Sequence, residues 1–357
     1  MPARQCRAAL QCLNIILDNQ CTLRREMSTQ ALASKQKRRV GRRRDRALRT
    51  SRFLLVGTLA TFIGVVFVSR ARFPSRAYPA ARLPTEDILR ARRISADEGL
   101  VNVMFYNLAY ITLVKSWICN VLEEDVRILN VTLFIAADRQ AGNDLRDFHP
   151  GLWVTSMITL DHGLDDALSY GSYAYFYLTL ERLLIQNELL QHGVNVLLTE
   201  ADAVWLSSSV QRSLIDRLAT AQIISASDHS QHLISAGFLL CKSDAKVRVF
   251  FKDYVRSYAR RLERIRPSDP HERIDHLDAG EQHLMTKLLH KSQLVVEWLD
   301  SCEYARGEWY SDEEYRRRCP HPLVIQNNYI VGIQAKVHRA QRWGHWYLLG
   351  DEQSCST

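Results

Sequence analysis

The chain has 357 residues, 46% hydrophobic and 24% charged, the composition of a globular protein with a sizeable core. Its net charge is +8, yet residues 1–52 alone carry +11, so the other 305 residues carry −3. The folded part is therefore mildly acidic, which excludes nucleic-acid binding as the meaning of the overall positive charge.

Residues 1–52 read as a basic, disordered cytosolic tail, densest in KQKRRVGRRRDRALRTSR. Residues 53–69, FLLVGTLATFIGVVFVS, are the longest uncharged apolar run. Seventeen residues at 1.5 Å per residue reach about 25 Å, the short end for a transmembrane helix. The run starts about fifty residues in and no small-residue cleavage site follows, which favours an anchor over a cleaved signal. Ten Lys and Arg lie in 35–52 against four in 70–82, so the positive-inside rule predicts a single-pass type II protein. Its C-terminal domain would face the lumen of the Golgi or endoplasmic reticulum, with the bilayer as a partner through 53–69. Residues 70–98, with prolines and arginines, read as a stem, and 350–357 as a tail.

From residue 99 to 349 the pattern alternates between strand and helix. VNVMFY, VTLFIAA, VNVLLT and QIISAS are continuous apolar runs of strand length, and AYITLVKSWICNVLEE and residues 170–192 have helical spacing. Gly193 stops the second helix. This predicts an α/β domain with a mostly parallel sheet flanked by helices. Ligands of such sheets bind beyond the carboxyl ends of the strands, where Asp138, Glu200 with Asp202, and Asp228 occur. Five cysteines follow the apolar run, and Cys302 with Cys319 is the favoured pair because both fall in a loop-like stretch. Scattered histidines have no metal-ligand spacing on one helix. Asn130-Val131-Thr132 is a glycosylation sequon.

The most informative stretch is HGVNVLLTEADAVWLSSSV, residues 192–210: a buried strand running into Glu200-Ala201-Asp202. Carboxylates two apart at a strand end can face one cleft, and the diphosphate of a nucleotide sugar needs positive charge that a hard cation could supply. The stretch resembles the acidic-turn signature of the nucleotide-diphospho-sugar transferase family. FIAADRQA, ISAGFLLCKSDAKVRVFFKDY, AGEQHLMTKLL and PLVIQNNYIVGIQAKVHRAQRWGHW resemble further blocks of that family in the same order. The resemblance implies a GT-A (Rossmann-like) glycosyltransferase fold and metal-dependent transfer, with retention, from a nucleotide-diphosphate sugar to an unknown glycan, protein or lipid acceptor. It implies a Mn²⁺ or Mg²⁺ site on Asp202, Glu200 and Gln326, and donor-binding roles for Asp138, Glu200, Gly237, Asn328, Gly332 and Lys336. It places Glu281 and Gln282 at the catalytic centre. Four positions depart from the family pattern: Glu200 and Glu281 stand for Asp, Ala236 for Asn, and Gln326 for His. They motivate the alternative, a luminal binding protein of the same fold with eroded catalysis.

Overall fold

The computed structural model describes residues 83–156, 168, 170–228, 233–267, 269, 271–274, 280–350 and 352–356. The expected tail and anchor, 1–69, lie outside them, and among the described residues no helix is long and apolar enough to cross a membrane.

A seven-stranded sheet forms the centre, in the order β3-β2-β1-β4-β7-β6-β8. The strands are β1 (Val101–Tyr106), β2 (Thr132–Ala136), β3 (Trp153–Ser156), β4 (Val196–Thr199), β6 (Ile223–Asp228), β7 (Leu233–Cys241) and β8 (Val296–Trp298). β1 pairs in parallel with β2 and β4, and β2 with β3. β7 is antiparallel to both β4 and β6, so the mostly parallel sheet is reversed by one central strand. A smaller sheet holds β5 (Ala203–Trp205), β10 (Val324–Gln326) and β9 (Tyr304–Ala305), in the order β5-β10-β9. Among the described residues the helices of eight or more residues are α1 (Thr85–Glu98), α2 (Ile111–Glu124), α3 (Arg139–Phe148), α4 (Tyr173–Gln191), α5 (Val210–Arg217), α6 (Ala245–Ile265), α7 (Glu281–Leu289) and α8 (Ile333–Arg342).

Strand alternation divides the core between the two faces of the sheet. Val101 and Val103 of β1 join Phe176 of α4, Phe251 of α6 and Met285 of α7 on one face. Met104 and Tyr106 of β1 join Trp117 of α2, Leu145 of α3 and Trp205 of β5 on the other. The apolar runs expected as strands are buried on both sides, which is why they read as continuous rather than alternating.

Two boundaries change. The expected stem includes α1, whose Ile88 and Ala91 are buried in the first core cluster. Its Asp87 accepts hydrogen bonds from Trp153 Nε1 (2.6 Å) and from Thr155 Oγ1. The domain therefore takes in the chain from Leu83, which is itself buried. At the other end Cys355 forms a disulfide with Cys119 of α2, so the expected C-terminal tail is fastened to the domain. Cys302 and Cys319 are the second disulfide, as their loop setting suggests, and Cys241 is a buried free thiol.

Candidate active site

The acidic turn sits where the chain leaves the large sheet for the small one. Thr199 ends β4, Glu200-Ala201-Asp202 turn, and β5 begins at Ala203. Glu200 N donates to Gly237 O of the neighbouring strand (3.0 Å), and Ala203 N donates to Glu200 O (3.0 Å). The exit is fixed from α2, where Asn120 donates to Trp205 O (2.7 Å) and accepts from Trp205 N (2.8 Å). Asn120 thereby sets the direction of β5 and with it the aim of the turn.

Gly237 is needed for close approach. A Cβ there would stand 2.4 Å from Glu200 Oε2. Only a residue without a side chain lets the Glu200 carboxylate rest on β7.

Both carboxylates carry cationic partners. Glu200 accepts from Arg182 of α4 at 2.8 Å, and the same guanidinium reaches Glu281, at the start of α7, at 3.5 Å. Asp202 is paired with Lys336 of α8. Burial alone would lower the pKa of Arg182 and of Lys336; the adjacent carboxylates outweigh it and hold both above their usual values. The Glu281 carboxyl is also held above its usual value, but there burial is the cause, and Arg182 only partly offsets it. Its neighbour Gln282 accepts from Ala236 N of β7 at 3.3 Å.

The closing segment is bound to the turn by Asn327. Its N–H donates to Asp202 O (2.9 Å), its amide donates to Lys336 O (2.9 Å), and its carbonyl accepts from Arg339 Nε (2.6 Å). Gln326, one residue before, lies opposite Ala203 in the β10–β5 pairing. Its Oε1 accepts from Ser235 Oγ (3.1 Å), while its Nε2 is buried without a hydrogen-bond partner.

Glu200, Asp202, Gly237, Glu281, Gln282, Gln326 and Lys336 thus converge at the carboxyl end of β4. The other expected donor-binding residues are used differently. Asp138 caps α3 through Ala141 N (2.7 Å) and accepts from Leu108 N (2.8 Å), so both of its oxygens hold backbone. Asn328 accepts from Gly307 N (2.6 Å) and secures the loop closed by the second disulfide. Gly332, at φ +97°, provides the left-handed turn into α8, and its carbonyl accepts from Lys336 N (3.2 Å). His321, a conceivable replacement for the missing family histidine, is exposed before β10.

Arg182 and Arg339 are the charged residues that sequence reasoning missed. Arg182 stands beside Glu181 in the otherwise largely apolar LTLERLLI, and charges within a buried helix were the available signal. Arg339 follows Lys336 by three positions, which places both on one face of α8.

Residues 127–340 match the family model of nucleotide-diphospho-sugar transferases. The chain belongs to this family. It is 23% identical over 313 residues to the UDP-D-xylose:L-fucose alpha-1,3-D-xylosyltransferase 1 of Arabidopsis thaliana, covering 83% of this chain and 84% of that one. It is 23% identical over 198 residues to the UDP-galactose:fucoside alpha-3-galactosyltransferase of Dictyostelium discoideum. That match covers 53% of this chain and only 31%, about a third, of the Dictyostelium protein. The glycosyltransferase GlyE of Streptococcus pneumoniae is similar at 14% identity with a TM-score of 0.42, over 69% of this chain and 59% of that one. The expectation of a nucleotide-sugar glycosyltransferase family is borne out, and the acidic turn lies inside the matched region.

The residues can be tested against the implied divalent cation. A hard cation takes several oxygen ligands, with carboxylates supplying the charge. Among the described residues no three His, Cys, Asp or Glu side chains are placed so that they could hold one metal ion. The two available carboxylates are each neutralised by a cation, and the orphaned atom of Gln326 is a donor, which suits an oxyanion and repels a metal. The expected ligand set of Asp202, Glu200 and Gln326 does not fit a metal as it stands.

Proposed function

We propose that this chain is a glycosyltransferase of the GT-A type that transfers a sugar from a nucleoside-diphosphate sugar to a glycan acceptor. The observation that carries the reading is the convergence of the β4 acidic turn with Lys336 on α8 and with the start of α7, around the bare backbone of Gly237. Lys336 meets the diphosphate, whose charge grows as the bond to the sugar breaks; the electrostatic stabilisation is greatest at that moment. Gly237 leaves room for the sugar. Glu281 and Gln282, presented from the first turn of α7, face the reacting sugar, and Arg182 sets the orientation and charge of Glu281 and Glu200.

Both curated relatives carry UDP-sugar donors and alpha linkages in their names. UDP is accordingly the proposed nucleotide, and transfer of an α-configured donor into an alpha linkage is transfer with retention. Fucose-containing glycans are the acceptor class to test first. The metal dependence implied by the family is not part of the proposed chemistry, because the donor set does not fit it.

We propose that the domain acts in the Golgi or endoplasmic-reticulum lumen as a type II protein anchored through 53–69. The charge asymmetry around that run supports it, as do two disulfides in one domain, since disulfides persist in oxidising compartments. Incubation of the full-length chain with UDP-xylose, UDP-galactose and UDP-glucose, with and without a fucoside acceptor, tests the activity. Release of the sugar from at least one donor, faster with acceptor, is expected. Donor binding without release would select the alternative, a binding protein with eroded catalysis.

A further inference from the structure

We infer that this chain holds the donor diphosphate with its own cations and needs no divalent metal ion. The inference rests on the nucleotide-sugar reading given above and departs from what that family membership implies. Three observations carry it. First, the Asp202 side chain is only 6% exposed and Lys336 is paired with it from α8, a neighbouring element rather than a mobile loop. Second, Glu200 is held by Arg182 at 2.8 Å, with Arg182 shared with Glu281. Glu200 and Asp202 therefore each already have a cationic partner, which a divalent ion would have to displace before it could use either carboxylate. Third, the position where an imidazole would complete a metal site is Gln326, whose oxygen is taken by Ser235 and whose buried Nε2 lacks a partner. A neutral amide already bonded to Ser235 is a poorer metal ligand than an imidazole.

In the place a divalent metal would take, Lys336 is the cation set at the turn, and Arg339, on the same face of α8 and held against Asn327, lies behind it. On arrival of the donor, Lys336 can be shared between Asp202 and a phosphate oxygen, and Asp202 keeps the ammonium aimed. No bond changes and no proton transfer are required in this binding step.

The test is calorimetric titration of UDP into the full-length chain, in EDTA and again in MnCl₂. Equal affinity within about twofold in the two buffers is expected. Lys336→Gln should weaken UDP by about tenfold or more in EDTA, equivalent to about 1.4 kcal/mol, while Lys336→Arg should recover most of it. Melting temperature of each variant, measured alongside, shows whether weak binding reflects an unfolded chain; if Lys336→Gln melts early, the comparison of Lys336→Arg with wild type decides. The paramagnetic resonance spectrum of Mn²⁺ mixed with chain and UDP should be that of the ion on UDP alone. UDP binding that requires Mn²⁺, or tightens more than tenfold with it, overturns this inference and leaves the glycosyltransferase reading standing. No binding of UDP, GDP or ADP in either buffer overturns the nucleotide reading and this inference together.

Discussion

Arg182→Ala is expected to destabilise the domain by about 3–5 kcal/mol at pH 8, the cost of breaking a buried ion pair from one side. The guanidinium is 12% exposed and sits between Glu200 at 2.8 Å and Glu281 at 3.5 Å. Glu200 is 43% exposed and can turn to water, so most of the cost falls on Glu281, 9% exposed. Burial already raises the Glu281 pKa, and Arg182 is the group that opposes the rise. Without Arg182 the folded-state value climbs further. For a carboxyl raised on folding, stability is intact below the unfolded value and is lost as pH rises through the folded one. The variant should therefore lose less at pH 5, where Glu281 can stay protonated, than at pH 8. Urea unfolding at the two values measures this. Equal losses at both would show that Arg182 acts through packing rather than through Glu281. Arg182→Lys should not restore the wild-type value, since one ammonium cannot fork between two carboxylates as a guanidinium does.

Gly237→Ala should lower sugar transfer by about a hundredfold while stability changes by roughly 1 kcal/mol or less. The backbone of Gly237 is not in the left-handed region, so the substitution costs little in conformation. The new Cβ would meet the Glu200 carboxylate at 2.4 Å and push it from Arg182 into the cleft. A misplacement of that order is enough to disrupt alignment of the reacting groups. The effect can be assigned by a double-mutant cycle with Glu200→Ala: if displacement of Glu200 is the cause, the double variant is no slower than Glu200→Ala alone. Additive losses would place the methyl group against the donor itself.

Much of the central sheet was legible because its strands are buried on both faces and so read as unbroken apolar runs; VTLFIAA is all core from Thr132 to Ala137. The acidic turn was legible for a related reason, since polar residues at the end of such a run can only be at the rim. α1 was not. Its buried residues Ile88, Ala91 and Ser95 are few and small among charges, and what secures it is Asp87 reaching Trp153 and Thr155, 66 and 68 positions away. The Cys119–Cys355 bond spans 236 residues, and nothing local marks either cysteine. In the site, the identity of the acids could be read but their state could not. That depends on Arg182 and Lys336, which are brought in from separate helices, α4 by its packing on the sheet and α8 by its bonds to Asn327. Asp138 shows the opposite failure: an acid at a strand end matched the donor-site pattern, yet its oxygens cap α3 and fix the turn after β1.

A nucleoside diphosphate is expected to bind over the acidic turn at the carboxyl end of β4. Hydrogen–deuterium exchange of the full-length chain with and without saturating UDP tests it most directly. Slowed exchange is expected in three separated stretches, 197–206, 233–239 and 324–336, with the open groove lined by Ser209, Arg212, Arg217, Thr220 and Glu297 unchanged. Saturable UDP binding with protection confined to that groove, or to any region away from the three stretches, would contradict it.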